Sequence, residues 1–286
     1  MNPKLQALYG LKFHPFRADI PTDALFVSPA VDAFCRRVEF SLTDGGFAMV
    51  TGDPGSGKSI ALRVLEERLR RRQDLIVGTI ERPIGRASDF YRELGDIFGV
   101  SLHGHNRWAG FKTLREKWSE HIATTLTRPV LIVDEAQEMI SGVFTELRLL
   151  SSKSLDARSL LCVVFAGDGR LPDRFRAPDL LPLGSRIRRR LKLEPAGRDE
   201  LAACLDHLLD AAGAPQLMTT ELRTTLAEHA AGNYRVLMNL ADELITVAAA
   251  HSAHRDHQDR RIVITVIGHR DHVSERSDEQ SRQEWA

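Results

Sequence analysis

The sequence predicts an α/β fold, a parallel sheet flanked by helices, followed by a small all-helical domain. Three observations carry that expectation. Four short runs, Gly46 to Gly52, Asp74 to Ile80, Pro129 to Glu135 and Leu160 to Gly167, hold Val, Ile or Leu at successive positions. Strands buried on both faces of a parallel sheet have that pattern. Helix patterns separate them at Lys58 to Arg72, Ser88 to Phe98, Trp108 to Leu126 and Gly142 to Leu150. Strands alternating with helices imply right-handed crossovers. Beyond Arg188 to Pro195 only helix patterns remain until the polar end of the chain.

The later helices are delimited by their ends. "RDELAACLDHLLDAAG" and "TTELRTTLAEHAAG" are closed by Gly213 and Gly232, where a left-handed cap belongs, and "YRVLMNLADELITVAAA" is the third. A chain of 286 residues exceeds the usual single-domain size. The division read from it is a sheet domain over 1–195, a helical domain over 196–250 and a polar tail over 251–286. Within the tail only Arg261 to Ile267 is apolar, and His251, His254, His257, His269 and His272 lack cysteine or acidic partners at ligand spacing, so they read as solvated.

Bulk composition excludes some classes. Lys and Arg number 39, as do Asp and Glu, so any polyanion site is a local patch rather than a global pull. Cys35, Cys162 and Cys204 lie far apart in apolar or helical stretches and suit buried hydrophobes in a reducing compartment. No signal-peptide core and no membrane-length apolar run are visible, so the reading is cytoplasmic.

The chemistry concentrates in two motifs. Gly52-Asp53-Pro54-Gly55-Ser56-Gly57-Lys58-Ser59 fits G-x-x-x-x-G-K-[ST], follows a buried strand and opens a helix that continues through Ile60. Glycines let backbone N–H groups surround an anion, and the helix N-terminus adds a positive dipole. Lys58 is placed to neutralise the β- and γ-phosphates, and the Ser59 hydroxyl to join a Mg²⁺ shell. Downstream, "VLIVDEAQ" delivers Asp134 and Glu135 to a strand end, where open α/β sheets bind ligands. Asp134 suits the metal and Glu135 the base that activates water. No N-K-x-D guanine-reading motif occurs, which favours ATP over GTP. Tyr9 to Phe16 and Leu25 to Pro29 supply apolar material either for an adenine slot or for covering the sheet edge.

With "YGLKFHPF", "MVTGDPGSGKS", "LIVDEAQEM", "TELRLLSS" and "LGSRIRRRLKLEP" in this order, the chain resembles the AAA+ ATPases. It is similar in particular to the branch that holds the ExeA-type secretion ATPases and the TnsC and MuB type transposition regulators. The resemblance spans roughly Leu8 to Ala250. It implies a P-loop ATPase with a helical AAA+ lid. It also implies a trans-acting arginine finger at Arg186, with Arg189 and Arg190 as alternatives, and a nucleotide-sensing arginine at Arg235 in "GNYRVLMN". The strand ending in Gly167 is expected to close on a polar residue that orients the attacking water. Here that residue is Asp168, an acid.

The resemblance leaves the use of ATP open. One expectation is a DNA-binding regulator of transposition, assembling as a ring or filament on duplex DNA without reading sequence and recruiting a transposase. It is favoured as an expectation because this sequence stops after a short tail, without the membrane span and cell-wall-binding region of the secretion ATPases. Arg107 and Lys112, in "HGHNRWAGFK" beside His103, His105 and Trp108, are the expected DNA contacts; the Arg68 to Arg72 run is the weaker one, since cations favour helix C-termini anyway. The alternative is an ExeA-like cytoplasmic ATPase for secretion or envelope assembly.

Overall fold

The computed structural model describes residues 8–42, 44–82, 85–100, 107–153 and 158–252. The polar tail from residue 253, and with it the apolar Arg261 to Ile267 stretch, lies outside the described residues, as do His103 and His105.

Five parallel strands form the central sheet: β1 (Gly46–Gly52), β2 (Leu75–Ile80), β3 (Arg128–Val133), β4 (Cys162–Gly167) and β5 (Ile187–Leu193), in the order β2-β3-β4-β1-β5. Helix α1 (Pro29–Ser41) precedes them, capped by the Ser28 hydroxyl, which accepts from Val31 N at 3.4 Å, with Pro29 at the first helical position. The crossovers carry α2 (Lys58–Arg70), α3 (Ala87–Phe98), α4 (Arg107–Thr124) and α5 (Ser141–Ser151). Short helices α6 (Arg170–Arg174) and α7 (Leu181–Gly184) lead into β5, and α8 (Arg198–Ala212), α9 (Thr220–His229) and α10 (Tyr234–Ser252) complete the described chain.

Alternation along the strands sorts the core into two layers. Ala48, Val50, Val130, Ile132, Cys162 and Val164 point to one face, with Phe34 of α1, Leu65 of α2 and the inner faces of α8 to α10. Phe47, Met49, Leu131, Val133, Val163 and Phe165 point to the other, with Phe90, Trp118 and Phe144 from α3, α4 and α5. The three central strands are almost wholly buried, as their unbroken apolar runs predict.

The two edges differ from the sequence reading. β2 is an edge strand and only half-buried at Leu75, Ile76 and Val77, because among the described residues nothing pairs with its outer side. β5 was not read as a strand at all. Ile187 and Leu191 point inward and are buried, while Arg188, Arg190 and Lys192 stay exposed, so the run looks polar rather than apolar. Basic side chains on such an edge also discourage a further strand from pairing there.

The segment Tyr9 to Phe16 straps the helical unit to the sheet. Leu11 and Phe16 are buried and Tyr9 and Phe13 pack on the α1 and α2 side. Lys12 N donates to Ala212 O at the end of α8 at 2.9 Å. Further along, the Arg63 guanidinium of α2 donates to Ala18 O and Ile20 O at 2.8 and 2.7 Å. His14 Nε2 lies 3.0 Å from Asp242 Oδ1 of α10, and burial lowers the His14 pKa against the opposing pull of Asp242.

The arginine run at the end of α2 is consumed by local pairing: Arg68 with Asp32, Arg70 with Glu66, Arg71 with Asp23 and Glu67, and Arg72 with Asp74. Cys35, Cys162 and Cys204 are free and buried.

Phe165 is the aromatic centre of the second layer. Its ring stacks on Phe47 with centroids 6.0 Å apart and meets Phe144 and Phe175 at 5.4 Å each. Truncation there removes a fully buried ring from between three others. Phe165→Ala is expected to lower unfolding stability by about 3–5 kcal/mol, read as a shifted urea midpoint.

Candidate nucleotide site

Parallel pairing in register brings all five strand ends to one edge of the sheet. Gly52 pairs with Leu193, Thr51 with Gly167 and Ile80 with Val133. The turn from Gly52 to Lys58 therefore leaves β1 beside the acids that follow β3 and the polar residue that follows β4.

The turn depends on glycine geometry at particular positions. Gly55 and Gly57 have φ of +84° and +98°, where L side chains are strained. A Cβ on Gly55 would sit 2.1 Å from Asn233 Oδ1, and one on Gly52 2.5 Å from Ser56 Oγ. Lys58 opens α2, nearly buried, and its ammonium donates to the loop's own carbonyls, Gly52 O at 2.7 Å and Asp53 O at 3.1 Å. Ser56 Oγ is buried with no hydrogen-bond partner. A donor-rich loop with an orphaned hydroxyl and an ammonium capping only backbone carbonyls fits a phosphate chain, which would draw on all three. Asp53, Pro54 and Ser59 are exposed and Ile60 is half-buried on the next turn.

The acids are held differently from each other. Asp134 follows β3, its N–H donating to Ile80 O at 2.9 Å, and its Oδ1 accepts from Glu135 N at 2.9 Å. Burial raises the Asp134 pKa, and the Glu135 charge adds to that while Lys58 opposes it. Such a half-buried carboxylate gains from a cation. Among the described residues no group of three or more His, Cys, Asp or Glu could hold a metal alone. Magnesium here would thus be held through Ser59 and Asp134 together with substrate phosphates, which is its usual habit, and would neutralise developing phosphoryl charge.

Glu135 is exposed and has a left-handed backbone, φ 47° and ψ 37°, at a cost of roughly 1–2 kcal/mol for a residue with a Cβ. Its Oε2 accepts from Gln137 Nε2. Asp168 follows β4 where the sequence placed it, but its carboxylate is engaged by Arg170, Oδ1 with Arg170 N at 2.9 Å and Oδ2 with Nε at 2.8 Å. Arg170 keeps the Asp168 pKa low, so the group is ionised and charge-compensated rather than an added bare charge. Gln137 was missed in the sequence, where only its place two residues after Glu135 could have signalled it.

The helical unit touches the loop directly. Asn233 Nδ2 donates to Pro54 O at 2.9 Å and Tyr234 N to Gly55 O at 3.0 Å. Asn233 Oδ1 accepts from Arg235 N at 3.0 Å and Val236 N at 3.2 Å, which caps α10. Arg235 itself is exposed one residue beyond these contacts.

Of the finger candidates, Arg189 Nε donates to Arg37 O at 3.2 Å and Arg190 to Ile187 O and Gly184 O at 3.3 and 3.1 Å. Arg186 is half-buried and precedes β5, whose first residue pairs with Phe47 near the start of β1. Seven strand residues at about 3.3 Å each put it on the order of 20 Å from the loop of its own chain, so it cannot serve that site in cis.

Lys112 is exposed, 3.7 Å from Glu116, and the side chain of Arg107 lies outside the described residues. Beside Lys112, Trp108 is 72% exposed and stacks on Phe111 at 5.6 Å. The Arg115 guanidinium lies 5.1 Å from the Phe111 ring centroid and donates to Leu149 O at 2.7 Å.

Comparison with known proteins agrees with this geometry. Residues 42–175 match the AAA domain family. With a P-loop on a parallel five-stranded sheet, that domain makes the chain an ATP hydrolase. General secretion pathway protein A of Aeromonas hydrophila is 29% identical over 252 residues, covering 86% of this chain and 45% of that protein, so this chain spans less than half of its relative's length. Among solved structures, Cdc6p of Pyrobaculum aerophilum superposes with a TM-score of 0.66 at 15% identity, covering 83% of this chain and 66% of that one. The Drosophila ORC bound to DNA gives 0.59 at 17% identity, covering 87% and 62%. At these identities the structures speak for the AAA fold alone. Among the described residues no helix is long and apolar enough to cross a membrane.

Lys58→Ala removes the one ammonium in the loop. Binding of a fluorescent ATP analogue is expected to weaken at least about 100-fold, the scale of a charge-assisted phosphate contact of about 3 kcal/mol, with the unfolding midpoint little changed.

Proposed function

We propose that this chain is the ATP-driven engine of a secretion or envelope-assembly apparatus, of the type of general secretion pathway protein A. The similarity to that protein over 252 residues carries the reading, since it runs across the P-loop, the acids after β3 and the helical unit. This reverses the order of the sequence expectations, in which the transposition regulator came first. That preference rested on where the sequence ends, and the end of a sequence that spans 45% of its relative decides nothing.

In this reading the loop N–H groups and Lys58 bind the triphosphate of ATP, Ser59 and Asp134 hold magnesium, and Glu135 takes the proton of the attacking water. Residues 196–250 serve as the lid, with Arg235 reporting nucleotide from α10. Arg186 acts on the site of a neighbouring copy, so turnover requires a homo-oligomer, in keeping with its distance from its own loop.

A second reading, a DNA-binding transposition regulator, keeps one observation. Lys112 and the exposed Trp108 lie on α4 next to Arg107, between the two phosphate-site motifs, and the Drosophila ORC of the same fold is bound to DNA. Nonspecific phosphate contacts there would give affinity that falls steeply with salt.

One pair of experiments separates the two. In the host, a chromosomal Lys58→Ala variant is expected to retain normally exported proteins inside the cell. In vitro, ATPase rate and particle size are expected to be unaffected by duplex DNA at low salt. Normal export together with DNA-stimulated turnover and assembly on duplex would replace the secretion reading with the transposition one.

Arg186→Ala is expected to bind ATP normally and to lose turnover by about 10³-fold or more, the usual worth of a trans arginine. Mixing it with Lys58→Ala protein should restore part of the rate, because a Lys58→Ala subunit still offers Arg186 to its neighbour.

A further inference from the structure

The position expected to orient water at the end of β4 is occupied by Asp168, whose carboxylate is committed to Arg170. Arg170 in turn also binds Glu138. An amide is nevertheless present at that point. Gln137, only 7% exposed, sits on a short 3-10 turn, Ala136–Glu138, and reaches across to β4, where its Oε1 accepts from Asp168 N at 3.2 Å. A backbone N–H can only donate, so this bond fixes which way the amide faces and puts Nε2 toward Glu135 Oε2.

The surroundings are shaped for this bridge. Gly167 has no Cβ, and one built there would lie 2.4 Å from Gln137 Oε1. The turn is gripped from below by Arg174, whose Nη1 donates to both Gln137 O and Met139 O while its guanidinium rests over the Phe144 ring at 5.2 Å. The left-handed backbone of Glu135 and the bond from a buried amide to its Oε2 together restrain that carboxylate.

We infer that Gln137 is the positioning residue of the hydrolysis reaction: it bridges the end of β4 to Glu135 and sets the carboxylate that activates water, in place of the residue that closes the strand. This deepens the ATPase reading and rests on it. Gln137 needs no contact with substrate, because it acts through Glu135.

The test uses the full chain. Gln137→Ala and the nearly isosteric Gln137→Met, which keeps the volume but has no amide, are expected to lower kcat about 10–100-fold, as a misplaced reacting group does, with KM and affinity for a fluorescent ATP analogue within about twofold. In the background of Glu135→Gln, adding Gln137→Ala should cost nothing more, since the carboxylate it positions is gone. In nucleotide-free protein, Gln137→Ala and Glu135→Ala should shift the urea midpoint non-additively. If only Gln137→Ala fails to fold, Gln137→Met carries the same expectations. Undiminished kcat in either variant, a further loss beyond Glu135→Gln, or additive midpoints would overturn the assignment. Absence of any ATP turnover in the unsubstituted chain would instead sink the ATPase reading, and the unfolding cycle would still report whether Gln137 and Glu135 are coupled.

Discussion

The site depends on one constraint of the backbone: the chain must leave β1 and reverse into α2 within a few residues while turning its amides inward. Gly55 and Gly57 meet that demand by adopting left-handed conformations that L side chains rarely adopt. Lys58 then lies at the first turn of α2 with its ammonium folded back on the loop. Parallel pairing does the rest, since strands in register with β1 must end where it ends, and whatever follows them faces the same hollow. Asp134, Glu135 and Asp168 gather there because of topology rather than because of mutual attraction, which as acids they lack.

Much of this was legible in the sequence, and the reasons are local. The central strands announce themselves because burial on both faces demands unbroken apolar runs. The helix ends at Gly213 and Gly232 are marked by residues that tolerate positive φ, observed at 84° and 83°. What escaped notice has equally local causes. β5 sets exposed Arg and Lys between Ile187 and Leu191, which are buried in opposite layers of the core, and so it resembles a solvated basic stretch. The Arg68 to Arg72 run is answered partly by neighbours in the chain, Glu66, Glu67 and Asp74, and partly by Asp23 and Asp32, which only the fold brings alongside.

In the site the boundary between legible and hidden is sharper. Motif spacing located the loop and the two acids, because those contacts lie within a few residues of one another. Gln137 and Asn233 were passed over because each acts on a distant part of the chain, Gln137 on the end of β4 and Asn233 on Pro54. Asp168 resembles a misplaced charge in the sequence, and in the fold Arg170, two residues on, neutralises it.

The bonds from Asn233 and Tyr234 to the carbonyls of Pro54 and Gly55 make the phosphate loop and the first turn of α10 a single hydrogen-bonded unit, although they are separated by some 180 residues of chain. A ligand that reshapes this loop must perturb the helix, and reciprocity then requires that anything clamping the helix alter the loop's affinity by the same factor. The protein thus has, in two hydrogen bonds, a mechanical link by which whatever grips α10 can set how tightly the phosphate loop holds its guest.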